Sequence, residues 1–347
     1  MNHIGMDAGM KMSHVCELTE AGEIVERQIR TERTRLQEVF GGRPKARILI
    51  EASTESEWIV CCLEAIGHEV IVADPNYAPM YAQRSRRIKT DRRDAHALME
   101  ACRLGAYRSA HRTSPTQRDV RAVVGIRELL VRTRTRWIVH TRTLLRREGL
   151  RLAPGRAERF VARVNDVSLS PLLRAQIAPV LALLTPLNVQ IAELDSQVSQ
   201  AAREDERARR LTTVPGVGPL TAVVFVATID QVARFRNAHQ LESYLGLVPR
   251  EWSSSETQRK GSITKAGNTR MRWLLVEAAW CILRRKKQPK TTLLRDWADR
   301  IALRRGSHVA AVALARRLAG ILYAMWRDHT EYDPNQIGRR GHRRQVA

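Results

Sequence analysis

The fold class this sequence predicts is an α/β layer at the N-terminus, a long helical, coiled-coil-like middle and a mostly α-helical C-terminal region. Three observations carry it. Short apolar runs of strand length flank a helical stretch in the first hundred residues. Arg-rich segments of helical length follow from Ser114, and from Leu211 helical apolar patterns surround one polar stretch.

Taken in order, His3–Asp7 and Lys11–Leu18 read as strands around an Asp7-Ala8-Gly9 turn. Arg47–Glu51 (R-I-L-I-E) is a short apolar run ending on an acid, and His68–Ala73 is another. Between them Glu55–Ile66 has helical length and spacing, with Gly67 where a helix stops. Strand, helix, strand implies the α/β layer. Gln117–Leu150 and, past a Pro154/Gly155 break, Pro171–Arg210 predict two long helices, the second kinked or interrupted at Pro186. Val123, Ile126, Leu130, Trp137, Val139 and Leu144 keep a roughly helical phase. Such a region spaces domains or pairs with another copy of the chain. The third region opens with V-P-G-V-G (Val214–Gly218), continues through an apolar helix and a polar loop at Pro249–Asn268, and returns to helices. The expected division is 1–112, 113–210, 211–330, and a basic, disordered tail over 331–347.

Composition narrows the partner. The 347 residues include 59 Lys+Arg against 36 Asp+Glu, a formal net charge of +23. That excess predicts attraction to a polyanion, nucleic acid by default, weakening as salt screens it. The apolar stretches Ala222–Ile229 and Val309–Ala315 fall short of the roughly 18 residues that span a bilayer, and Met1–Met10 has no cationic start before an apolar core. A cytoplasmic protein with no membrane partner is expected. Five scattered cysteines without C-x-x-C or zinc-ligand spacing read as free thiols.

Four carboxylates stand out. Asp7 follows a strand-like segment, Glu51 ends the next apolar strand, and Asp91 and Asp94 open a helix in K-T-D-R-R-D-A-H, one turn apart on one face. If the strands that end at Asp7 and Glu51 are neighbours, the two acids come together, and the helix can bring its acids over them. Converging carboxylates repel unless hard divalent cations neutralise them, and Mg²⁺ suits that donor set. Taken singly, Asp91 also fits an N-cap role after Thr90, Asp94 a first-turn acid and Glu51 a solvated strand end. The rim is cationic, with Arg84, Arg86, Arg87, Lys89, Arg92 and Arg93, which suits a phosphodiester substrate.

Two loops complete the candidates. Ser253-Ser254-Ser255 sits in a stretch with Arg259, Lys260 and Lys265, where a hydroxyl can meet a phosphate; a polar turn satisfying its own backbone is the alternative. V-P-G-V-G has the form of a helix-hairpin-helix turn, in which Gly216 and Gly218 let backbone N–H groups approach a phosphate; a tight turn with a helix C-cap is the alternative.

The ordered set of G-M-D (Gly5–Asp7), I-E-A-S (Ile50–Ser53), K-T-D-R-R-D-A (Lys89–Ala95), V-P-G-V-G-P-L-T-A (Val214–Ala222) and Y-L-G-L-V-P-R-E-W-S-S-S with K-A-G-N resembles the IS110-type insertion-sequence transposases over nearly the whole chain. The resemblance implies an RNase H-like (RuvC-like) first domain in which Asp7, Glu51, Asp91 and Asp94 are DEDD ligands of Mg²⁺ or Mn²⁺. It implies a C-terminal serine domain whose serine attacks DNA to give a covalent phosphoserine, and guidance by a structured non-coding bridge RNA. Donor and target DNA are then the substrates, a homodimer or homotetramer the working form, and the bacterial nucleoid the place of action. Register from Pro249 and Trp252 selects Ser254. The family pattern has Gly at the next position, where this chain has Ser255, so Ser253 and Ser255 are lesser candidates. Acids and serine fall on different domains, so a site assembled from two protomers is a further expectation. A RuvC-like nuclease without a covalent intermediate and a non-catalytic nucleic-acid-binding protein are the rivals.

Overall fold

The computed structural model describes residues 1–81, 90–253, 258–285 and 289–337. Two compact units divide the chain, Met1–Thr113 and Ser114–Ala347.

In the first unit, β1 (His3–Ala8), β2 (Met12–Leu18) and β3 (Ile24–Arg30) form an antiparallel meander. Helix α1 (Arg33–Phe40) leads to β4 (Arg47–Glu51), which lies parallel to β1; α2 (Ser56–Ala65) leads to β5 (Glu69–Ala73), parallel to β4. The strand order is β3-β2-β1-β4-β5, with α3 (Asp91–Leu104) closing the unit. Alternation along β4 explains why I-L-I (Ile48–Ile50) is apolar throughout: Ile48 and Ile50 face a core with Ile59, Val60 and Leu63, while Leu49 faces Leu98 and Cys102 on the other side. Both α1 and β3 went unread in the sequence. Strand β3 is an edge strand with only Ile29 buried, so its pattern carries no strong period.

Gly5 fixes how closely α3 meets the sheet. A Cβ there would lie 2.1 Å from the Met99 amide nitrogen and 2.2 Å from the Ala95 carbonyl oxygen. Helix backbone therefore rests directly on β1, and Gly5→Ala is expected to cost about 3 kcal/mol or more, as overpacking against backbone does. Chemical denaturation of the variant checks this.

The second unit begins with α4 (Pro115–Arg147) and α5 (Phe160–Asn165), followed by α6 (Pro171–Glu204) and α7 (Glu206–Leu211). Then come α8 (Pro219–Ile229), α9 (Ala238–Tyr244), β6 (Pro249–Ser253), β7 (Gln258–Ile263), α10 (Thr269–Arg284), α11 (Thr292–Arg305) and α12 (Ser307–Arg327). One core joins α4, α5 and α6 through Leu145, Phe160, Val164, Leu173, Ile177, Leu184, Leu187 and Ile191. The other is built around α8, buried from Thr221 to Ile229.

Several expectations are corrected here. Helix α6 runs uninterrupted through Pro179 and Pro186; Leu184, Leu187 and Ile191 pack on both sides of Pro186 and offset the lost hydrogen bond. It ends at Glu204 rather than Arg210, because the Asp205 carboxylate accepts from the amides of Arg207 and Ala208 and starts α7 afresh. The stretch read as a polar loop at Pro249–Asn268 contains the β6–β7 hairpin. Part of the tail is ordered: the Tyr332 amide donates to Thr213 Oγ1 at 3.1 Å and its hydroxyl to the Lys290 carbonyl at 2.9 Å. Helices α6 and α12 are long and apolar enough to cross a membrane by length and composition, which the shorter runs in the sequence did not suggest. For α12 that window is 56% buried by Leu314, Leu318, Leu322 and their neighbours, as in a core helix; for α6 it is 17% buried. All five cysteines are free, with Cys16 and Cys102 buried.

Candidate active site

Strand geometry sets the first half of the site. Met6 pairs with Ile50 as the last registered pair of the parallel β1–β4 ladder, so Asp7 and Glu51 follow it at the same sheet end. Helix α3, seated on Gly5, starts beside that end. Thr90 caps it by accepting from the Arg93 amide at 3.3 Å, so Asp91 is not the cap. Asp91 stands exposed in the first turn, whereas Asp94, on the face toward the sheet, is buried.

Electrostatics records how near these acids are. The Asp7 carboxyl is pushed up to about 6, first by burial and then by the charges of Asp91, Asp94 and Glu51. His14 works the other way and pulls it down. Sequence reasoning missed His14. The antiparallel register sets it opposite Asp7, its Nε2 lies 4.0 Å from Asp91 Oδ2 and 3.1 Å from Gln28 Nε2. The signal was the β1–β2 hairpin itself, since pairing across Gly9–Lys11 fixes that partner.

Among the described residues, no three His, Cys, Asp or Glu side chains are grouped as a metal ion requires. The four acids thus share one end of the sheet without standing at ligand spacing. As a donor set, hard carboxylates crowded enough to raise Asp7 do suit a divalent cation of the Mg²⁺ type. Of the cationic rim, Arg92 is committed to Glu26, and Arg84, Arg86, Arg87 and Lys89 lie outside the described residues.

In the second unit, Glu251 pairs with Lys260, Trp252 with Arg259 and Ser253 with Gln258. Ser254 and Ser255 fall between the strands, outside the described residues, as does the Ser253 side chain. The base of the hairpin is tightly built. A Cβ on Gly246 would lie 2.2 Å from the Ala266 carbonyl oxygen and one on Gly267 2.0 Å from that of Tyr244, both at positive φ. Arg272, buried in α10, donates through Nη1 to the carbonyls of Leu245 and Gly267 at 3.2 Å and to that of Ala266. One guanidinium thus ties together both chain segments that enter the hairpin. Arg259 and Lys265 are exposed, Lys265 at φ 58°.

The V-P-G-V-G turn joins α7 to α8. Gly216 sits at φ 83°, and a Cβ there would lie 2.5 Å from the Ala278 carbonyl oxygen, so packing on α10 already requires glycine. Gly218 is exposed at the start of α8, with Pro219 in the first helical position.

Comparison with known proteins fits this layout. A DEDD-type transposase family model matches residues 4–148, and one described as "Transposase IS116/IS110/IS902 family" matches residues 208–293. The chain is 30% identical over 340 residues to a Pseudomonas aeruginosa protein named "Probable family 20 transposase", covering 96% of this chain and 99% of that one. It belongs to the IS110-type transposase family. To the transposase of insertion sequence element IS1111A from Coxiella burnetii it is 28% identical, over 93% of this chain and 88% of that one. The Yersinia enterocolitica transposase for IS1328 is 25% identical over 93% and 96% of the two chains. As a DNA transposase, this chain has its acid cluster inside the first matched region and its hairpin inside the second.

Proposed function

We propose that this transposase cuts and rejoins DNA through a covalent phosphoserine on Ser254, with Asp7, Glu51, Asp91 and Asp94 holding a divalent cation and a structured bridge RNA choosing the target. One observation carries the acidic half: Asp7 is held at about 6 by its burial and by three further carboxylates at the same sheet end. Such crowding costs stability, and a cation bound there relieves it. The order β3-β2-β1-β4-β5, three antiparallel strands followed by two parallel ones, supports an RNase H-like reading of residues 1–112. Residues 113–210 then act as the spacer and oligomerisation region, and 211–330 as the serine domain with a helix-hairpin-helix-like turn.

Asp7, Glu51, Asp91 and Asp94 would hold Mg²⁺ or Mn²⁺, which would supply positive charge to offset that of the scissile phosphate. The serine does the covalent chemistry. Its Oγ–P bond forms as the P–O3′ bond breaks, with the hydroxyl proton ending on the departing 3′ oxygen. In the second step a 3′-hydroxyl of the partner strand attacks phosphorus, and the serine leaves and regains a proton. No phosphodiester is lost to water. Arg259, Lys260, Lys265 and the exposed Gly218 amide are the proposed phosphate contacts, joined by Gly216 as part of the turn. Exposed Ile126, Leu129 and Val139 on α4, with Leu172, Leu183 and Val189 on α6, support pairing with a second copy.

The test is incubation with end-labelled DNA and a divalent cation, followed by denaturing electrophoresis. A protein-linked product is expected, and Asp91→Asn is expected to remove it while nucleic-acid affinity stays within about twofold, because Asp91 is an exposed first-turn acid with no capping role. Free 5′-phosphate ends without any adduct would instead identify a hydrolytic nuclease.

A further inference from the structure

The arginines of α4 fall into two groups. Toward its start and middle most are committed within the fold, the exposed Arg136 apart. Arg121 donates to the carbonyls of Ala227 and Thr228 at 2.8 and 3.2 Å, Arg127 pairs with Asp195, Arg132 with Glu128, and Arg134 with Glu158 and Asn188 at 2.8 and 3.0 Å. In the last two turns this pattern stops. Arg142 and Arg146, one turn apart on one face, and Arg151 beyond the helix end line a single cavity of about 480 Å³ with Leu145, Gly149 and Leu152. Among the described residues, none of these three guanidiniums is paired with a carboxylate or donates a hydrogen bond.

Local needs do not account for them. The neighbouring acid, Glu148, accepts from the Ser170 hydroxyl at 3.1 and 3.2 Å. Cations often gather at helix ends to meet free carbonyls, but here Leu145 O accepts from the Glu148 and Leu150 amides, and Arg146 O from Gly149. The left-handed turn at Gly149, φ 77°, brings the chain back and sets Arg151 on the same cavity. Arg142 is held in place by the buried ring of Phe160, 5.9 Å from its guanidinium carbon, with its Nε buried and unbonded. Three cations around one opening, Arg142 held and Arg146 and Arg151 exposed, repel each other, and an anion entering between them relieves that. The planar guanidinium fork matches a phosphate oxygen pair.

We propose that this cavity is a phosphodiester-binding site, in which Arg142, Arg146 and Arg151 grip the backbone of a nucleic-acid strand at the end of α4. The proposal rests on the transposase reading only for its partner class, and uses neither the acids nor the serine. The full-length protein is titrated by fluorescence anisotropy, across a salt series, with duplex DNA and with single-stranded RNA of equal phosphate number. Arg146→Ala/Arg151→Ala is expected to lower the slope of log K against log salt by about 1.8 on DNA or about 1.4 on RNA. Arg304→Ala/Arg305→Ala, which removes the same charge from the exposed end of α11, leaves that slope unchanged. Arg142→Lys keeps the charge and stem, so it spares the slope and weakens binding about tenfold through the lost fork. A loss confined to one probe supports the site and identifies its strand. Equal slope losses in the two double variants, or no loss on either probe, overturn it. A wild-type protein that binds neither probe would fail at the transposase reading itself, before the variants are compared.

Discussion

Ser254→Ala yields no protein-linked DNA, and strand cleavage falls at least about 10³-fold, the scale on which losing a covalent nucleophile costs. The expected loss is chemical rather than structural. Residues on both sides of the serine segment are registered strands, and their base is fixed from outside by Arg272 and by the backbone contacts at Gly246 and Gly267. None of those ties uses the serine hydroxyl, so DNA affinity of the variant should match wild type. Ser253→Ala and Ser255→Ala are the paired controls and keep the adduct. An adduct surviving in Ser254→Ala, and lost in one of its neighbours, would move the nucleophile by one residue along the same hairpin.

That hairpin shows where sequence reading stops. Its strands, P-R-E-W-S and Q-R-K-G-S-I, are polar at most positions, and Trp252 and Arg259 are exposed, so no alternation announces them. What makes them strands is closure at their base, where Gly246 meets Ala266 and Gly267 meets Tyr244, contacts between residues about twenty apart. In the first unit the opposite holds. The run R-I-L-I-E and the helix over Glu55–Ile66 were legible because both sheet faces are covered and demand apolar residues. Asp7, Glu51, Asp91 and Asp94 were legible as acids at the ends of such elements, but His14 was not, because its place opposite Asp7 depends on register rather than on composition. Pro186 misled for a related reason: a proline is a local signal, while α6 is held by the packing of Leu184, Leu187 and Ile191.

Asp7→Asn is expected to stabilise the fold while abolishing cleavage. The Asp7 carboxyl titrates at about 6 instead of near 3.8, raised by burial and then by Asp91, Asp94 and Glu51. A carboxyl whose folded value lies above its unfolded one binds more protons in the native state, so stability falls as pH rises from 3.8 to about 6 and stays low above that window. For a fully shielded group such a rise corresponds to about 3 kcal/mol; for this partly exposed side chain solvent screening reduces the penalty to about 1 kcal/mol. Asparagine removes the charge, so in chelator at about pH 7 the variant should be more stable by that amount, with the difference shrinking as the pH falls toward the unfolded value. A carboxylate present for structure predicts the reverse sign, because its replacement costs a cap or an ion pair. Adding Mg²⁺ gives a second readout. Neutralising the cluster should raise the stability of wild type more than that of Asp7→Asn, narrowing or inverting the gap between them. A cluster that gains nothing from the cation and is weakened by asparagine would be a structural feature of the sheet end, and the cutting chemistry would have to be sought elsewhere in the chain.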